Sequence, residues 1–181
     1  MEGTMKTYLL ILISVIISTF ILVVNPPKHV TSNSIEVVEI SAVQKVEKCM
    51  LQEDCRLLTE SVYYEAQHEP LEGMIAIMSV INNRTMHTSK RFPDTIRGVL
   101  TQRCEFSYQC DKSKNKKVNW KDWNRIAVVA YDFQDGKYLG RDDVMFYHAK
   151  YLKKKPVFAK DKNKVVSIGN HVFYKCQDQY C

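Results

Sequence analysis

Apolar positions are laid out along this chain in two different ways. Residues 8–24 (YLLILISVIISTFILVV) form a continuous apolar run with no charge, broken only by Ser14, Ser18 and Thr19. At a helical rise of about 1.5 Å per residue, this run spans roughly 26 Å, close to a thin bilayer core. It ends at Asn25, Pro26 and Pro27 without the small-residue pattern that closes a removable signal. The pattern predicts an uncleaved signal anchor over residues 1–24, with a cleaved signal as the alternative. Residues 25–50 lack a long apolar period and read as a stalk or linker.

From Leu51 to Cys181 the periodicity is that of one folded domain. Leu58, Val62 and Glu65 recur at helical spacing and predict a helix over residues 52–68. Glu69-Pro70 breaks it. Residues 71–83 are apolar nearly all round, so they read as a buried central helix. A short helix starts near Phe92-Pro93-Asp94 and runs to Thr101; residues 104–118 read as irregular. Residues 122–134 form a further helix closed by Asp135-Gly136. Residues 143–148 and 165–174 carry the β-branched and aromatic character of two strands. The fold class is therefore α+β, mainly α, with a small C-terminal β element, preceded by a transmembrane helix.

Glu65 is the most informative side chain in this pattern. It continues the apolar stripe of Leu58 and Val62, so its carboxyl faces the domain rather than water. A desolvated carboxyl without a cation has a raised pKa, as a general acid at neutral pH requires. A partly buried Glu held by an Arg is the competing structural reading. Glu72 falls in the first turn of the next helix, where a carboxylate suits the helix dipole. His148 and His171 lie beside aromatics in strand-like segments, either as satisfied structural residues or as donors lining a cleft. The histidines have no H-E-x-x-H spacing, and no metal or other cofactor is expected.

Composition sharpens the picture. The chain has 181 residues, 45% apolar and 25% charged, which excludes a disordered or multi-span protein. All six cysteines follow the apolar run, in three close pairs: Cys49 and Cys55, Cys104 and Cys110, Cys176 and Cys181. None is C-x-x-C. An even count behind an export segment predicts disulfides in an oxidising compartment, with local pairing the simplest of 15 arrangements. The net charge of +6 comes mainly from lysine runs around residues 112–125 and 150–164. Such runs suit an anionic polymer or surface. No nucleic-acid motif accompanies them, and nucleic acid is not an expected partner.

Read in order, several motifs resemble one family. Tyr64-Glu65-Ala66-Gln67-His68-Glu69-Pro70-Leu71-Glu72-Gly73 is similar to the E-A-R-G-E-P-x-E-G signature of SleB-like cell-wall hydrolases, which include spore-cortex-lytic enzymes and phage endolysins. Ile75-Ala76-Ile77 through Asn83-Arg84 resembles that family's V-A-x-V-x-x-N-R helix. Phe92-Pro93-Asp94-Thr95-Ile96, Gly98-Val99, Gln102, Cys104-Glu105-Phe106-Ser107, Phe146-Tyr147-His148-Ala149 and Ile168-Gly169-Asn170-His171-Val172-Phe173-Tyr174 follow in family order.

The resemblance implies a lysozyme-like domain that cleaves the glycan strand of peptidoglycan, with Glu65 as the catalytic acid and base. It suggests lytic transglycosylase chemistry with a 1,6-anhydro product. A hydrolytic muramidase using a second carboxylate such as Glu72 is the alternative, as is an inactive membrane-anchored wall-binding protein. Gln102, Ser107, Tyr147 and His148 are the expected substrate contacts, through amide, hydroxyl and aromatic groups. The domain is expected outside the cytoplasm, as a phage endolysin or a bacterial wall-remodelling enzyme, held at the membrane or released by cleavage. The family's Arg and Gly are Gln67 and His68 here. The first change removes a cation from Glu65; the second would push His68 toward an unusual backbone angle.

Overall fold

A helix that is apolar on every side must be surrounded, and the architecture follows from that requirement. The computed structural model describes residues 40–110, 117–177 and 181. Its central helix, α3 (Leu71–Met86), buries Met74, Ala76, Ile77, Met78, Val80 and Ile81 almost completely. Against it pack α2 (Glu53–Ala66), α4 (Ile96–Thr101) and α6 (Trp120–Gln134); α1 (Ala42–Leu51) packs on α2 and α6, and the short α5 (Ser107–Cys110) lies beside the cleft described below. Three short strands complete the domain: β1 (Phe146–Ala149), β2 (Lys164–Ile168) and β3 (His171–Tyr174). They form an antiparallel sheet in the order β1-β3-β2, with Phe146 opposite Tyr174 and Ile168 opposite His171. The fold is mainly helical with a small C-terminal sheet, as the periodicity predicts.

The elements differ from the sequence reading in several places. Residues 42–50, expected in a stalk, belong to helix α1, which packs on α6 within one unit spanning Ile40–Cys181. Ser41 caps it through a reciprocal capping box with Gln44. Its Lys45 forms a buried ion pair with Asp132 of α6 at 2.7 Å. The residues expected to form one strand over 165–174 instead form a hairpin. Gly169 turns it with φ +52°, a left-handed conformation that glycine adopts without Cβ strain. The irregular stretch after Thr101 contains a 3₁₀ turn (Gln102–Cys104) and then α5. Arg103 and Cys104 have positive φ there; His68 does not. The lost family glycine at position 68 therefore imposes no unusual backbone angle.

The cysteines pair locally as Cys49–Cys55, Cys104–Cys110 and Cys176–Cys181, with Cα separations of 5.1, 5.6 and 6.0 Å. These lie in the ordinary disulfide range. The apolar run at residues 8–24 lies outside the described residues. Among the described residues no helix is long and apolar enough to cross a membrane.

Candidate active site

The helical stripe that buries Leu58 and Val62 carries Glu65 into a cleft of about 610 Å³. Glu65 comes from the end of α2, Arg84 from the end of α3, and Glu105, Phe106 and Ser107 from the turn leading into α5. Tyr147 and His148 come from β1 and His171 from β3. The sheet thus closes the cleft over the helical side. Tyr64 also lines it and stacks on the buried Tyr108 at 4.9 Å.

Glu65 has the surroundings of a proton donor. One carboxyl oxygen, Oε1, is buried with no hydrogen-bond partner. Burial raises its pKa above the usual carboxylate value, and a hydrogen bond from the Tyr147 side chain partly opposes the rise. Among the described residues no cation contributes, consistent with Gln67 standing where the family has Arg. Burial, and then the Glu65 charge, in turn push the Tyr147 phenol well above its ordinary value.

The other cleft carboxylate is held differently. Glu105 accepts from Arg84 at 2.5 Å. The Arg84 guanidinium is buried, lies 5.2–5.8 Å from the ring centres of Phe92, Phe106 and Phe146, and donates to the Met145 carbonyl at 2.9 Å. Burial lowers its pKa and Glu105 opposes that shift. Arg84 and Glu105 stand in the sequence as letters of two separate motifs, with nothing local to pair them. The Asn-Arg step at the end of the apolar helix was the available signal.

One turn beyond Glu65, Glu69 organises the hairpin. It is buried; its Oε2 accepts the Asn170 amide at 2.9 Å, and its Oε1 lies 3.5 Å from His171 Nδ1. A Cβ on Gly169 would sit 1.6 Å from Glu69 Oε2, so glycine is required there on two counts. His171 is buried, which lowers its pKa, while Glu69 opposes the shift. The ring meets Tyr147 edge-on at 5.4 Å. The local sequence marks Glu69 as part of a helix break and of the family signature, but its partners lie in a distant turn.

The expected substrate contacts divide. Ser107 lies exposed at the cleft, and Tyr147 lines it beside Glu65. His148 lines the cleft too, but Nε2 pairs with the Tyr174 hydroxyl at 3.0 Å and Nδ1 lies 2.9 Å from the Ala149 carbonyl. Both ring nitrogens are occupied, which favours the structural reading. Gln102 does not line the cleft. Its amide donates to the Arg91 carbonyl at 2.5 Å and so braces the segment that carries Arg91 into it. Glu72 is exposed in the first turn of α3 and is also outside the cleft.

Among the described residues, one grouping has metal-ligand geometry: His87 with Cys176 and Cys181. The two sulfurs are joined to each other, and none of the three lines the cleft.

A half-buried carboxyl with one unpartnered oxygen thus faces a polar and aromatic cleft on a mainly helical domain. The cell wall hydrolase family model matches residues 68–174, more than half of the chain, and the chain belongs to that family. The match opens three residues after Glu65. The chain is 42% identical over 60 residues to a spore cortex-lytic enzyme of Oceanobacillus iheyensis, covering 33% of this chain and 21% of that protein. It is 43% identical over 58 residues to a spore cortex-lytic enzyme of Bacillus subtilis, covering 32% and 18%. The aligned stretches thus span about a fifth of those relatives' length. The catalytic domain of the germination-specific lytic transglycosylase SleB from Bacillus anthracis superposes with a TM-score of 0.53 at 27% identity, covering 68% of this chain and 95% of that domain.

Proposed function

We propose that this domain cleaves the glycan strand of peptidoglycan between N-acetylmuramic acid and N-acetylglucosamine, with Glu65 as acid and then base. The Glu65 carboxyl carries the reading: it is partly buried, has an unpartnered oxygen, and is raised toward its protonated form in a cleft of polar and aromatic side chains. The protonated carboxyl donates to the glycosidic oxygen as the C1–O bond breaks. Positive charge develops at the muramic C1. The muramic 6-hydroxyl then attacks C1 and its proton passes to the Glu65 carboxylate, which regenerates the acid. The product end is a 1,6-anhydro sugar.

Hydrolysis would need a second carboxylate to act as nucleophile or to activate water. Glu72 is exposed outside the cleft, and Glu105 is tied to Arg84. This arrangement supports the intramolecular route, as does the likeness to a lytic transglycosylase domain. Retention of the apolar segment at residues 8–24 would hold the domain at the outer face of a membrane, where export would also oxidise its cysteines. Wall remodelling or host lysis are both compatible with that placement.

Mass spectrometry of fragments from purified peptidoglycan is the direct test. The wild type is expected to release ends one water lighter than reducing ends, and Glu65→Gln to release none. Reducing ends from the wild type would overturn the transglycosylase route. Full cleavage by Glu65→Gln would overturn the assignment of Glu65.

A further inference from the structure

The segment joining β1 to β2 lines the cleft with Tyr151, Leu152, Pro156 and Phe158, yet carries Lys153, Lys154 and Lys155 between them. The segment is anchored. Phe158 stacks on Phe146 at 4.8 Å, Lys150 Nζ donates to the Gly169 carbonyl at 2.6 Å, and the Leu152 amide bonds the Ala149 carbonyl. The three lysines are exposed, and no described acidic group lies within ion-pair distance of them. Beside them Tyr151 is 81% and Leu152 44% exposed, so apolar surface is also left open at the cleft mouth. The cleft therefore ends in an apolar step bordered by unneutralised positive charge, which neither the proton chemistry of Glu65 nor the packing of the core uses.

Resting on the cleavage reading above, we propose that residues 151–156 recognise the peptide substituent of muramic acid, with Lys153, Lys154 and Lys155 pairing with its carboxylates. The sugars of the glycan strand are uncharged once the muramic lactyl group is amidated. The attached stem peptide then supplies the anionic charge, through side-chain and terminal carboxylates. A strand seated at Glu65 presents such a peptide beside the scissile bond, within reach of the cleft mouth. Lysine suits this role because its point charge on a long stem tolerates the varied positions of a flexible peptide. The set makes the enzyme selective for peptide-bearing strands over bare ones.

The test compares the full-length chain on two soluble substrates free of accessory polymers: glycan strands released by an endopeptidase, which keep their stem peptides, and strands released by an amidase, with the lactyl carboxylates so exposed capped as amides. Exposed ion pairs are individually weak, so three together are expected to favour the peptide-bearing form by about tenfold in kcat/KM. The ratio should fall toward one in Lys153→Gln/Lys154→Gln/Lys155→Gln, and also for the wild type at about 0.5 M salt, where exposed charges are screened. Persistence of the ratio in the triple variant, or at high salt, overturns the proposal. A preference seen only when accessory anionic polymers are left on the strands overturns it in favour of those polymers. If the wild type cleaves neither substrate, the cleavage reading fails separately. The affinity of Glu65→Gln, with and without the lysine changes, for the two kinds of strand, read by calorimetry, then decides the lysine proposal by binding alone.

Discussion

At the end of α2, Glu65 keeps one carboxyl oxygen buried without a partner, while Glu69, one turn further on, accepts the Asn170 amide and faces His171. The two acids lie on adjoining pieces of backbone, and both are withdrawn from water. The fold satisfies one and leaves the other short of partners. A carboxylate that is hydrogen-bonded and packed becomes a structural tie between the helix elbow and the hairpin. One that is desolvated without a cation favours its proton and becomes reactive. The local sequence E-A-Q-H-E does not by itself distinguish them. The difference comes from β3 and its turn, which supply a donor to Glu69 and only the Tyr147 phenol, from β1, to Glu65.

Replacing each acid, or its surroundings, should separate the two roles. The largest expected effect is on turnover: Glu65→Gln should lose about 10²–10⁴-fold in kcat or more, with substrate binding retained, because it removes the transferred proton. A kcat loss matched by a change in fold, read by circular dichroism, would put Glu65 with the structural acid instead. Next comes stability. Gly169→Ala forces a Cβ against Glu69 in a left-handed backbone, and is expected to cost about 3 kcal/mol, lowering Tm by roughly 6–12 °C. An unchanged Tm would mean that the tie between Glu69 and the hairpin is dispensable.

Tyr147→Phe has a smaller effect with a distinctive direction. The Tyr147 hydrogen bond lowers the Glu65 pKa, so its loss should raise that pKa further. The alkaline limb of the pH–rate profile should move to higher pH, with a modest drop in rate. A limb that moves to lower pH would contradict the assigned hydrogen bond. The smallest effect is thermodynamic. A carboxyl whose pKa is raised on folding contributes its stability at low pH and loses it as pH rises through the folded value. Glu65→Gln should therefore match the wild-type Tm below about pH 4 and exceed it at neutral pH. Equal melting at both pH values would show that burial of Glu65 has no energetic consequence.

Helices α2, α3 and α6 were legible because each commits its apolar face to one core, and that same periodicity pointed Glu65 inward. The cysteine pairs were legible because short spacing leaves little geometric choice. Helix α1 was missed: its apolar face is short, and its attachment depends on Lys45 meeting Asp132 far along the chain. The β2–β3 hairpin was missed because a β-rich run hides a two-residue Gly-Asn turn, although that dipeptide is itself a turn signal. Gln102 and His148 were chosen by side-chain type, which does not report that the Gln102 amide nitrogen bonds Arg91 away from the cleft lining or that the two His148 ring nitrogens face Tyr174 and Ala149. The role of Glu69 needed a partner from another part of the chain, which no local pattern reports.

One wall of the cleft is built from Glu105, Phe106 and Ser107, which lie between Cys104 and Cys110. That bond closes a small ring, and the ring enters through two consecutive residues with left-handed backbone, Arg103 and Cys104. Such a conformation is costly for side-chain-bearing residues and persists only where the surroundings hold it. The cross-link is such a restraint, and it forms only where thiols are oxidised. Completion of this wall is thereby tied to the redox state of two thiols: with Cys104 and Cys110 reduced, the turn that carries Glu105, Phe106 and Ser107 would lose the restraint that holds it.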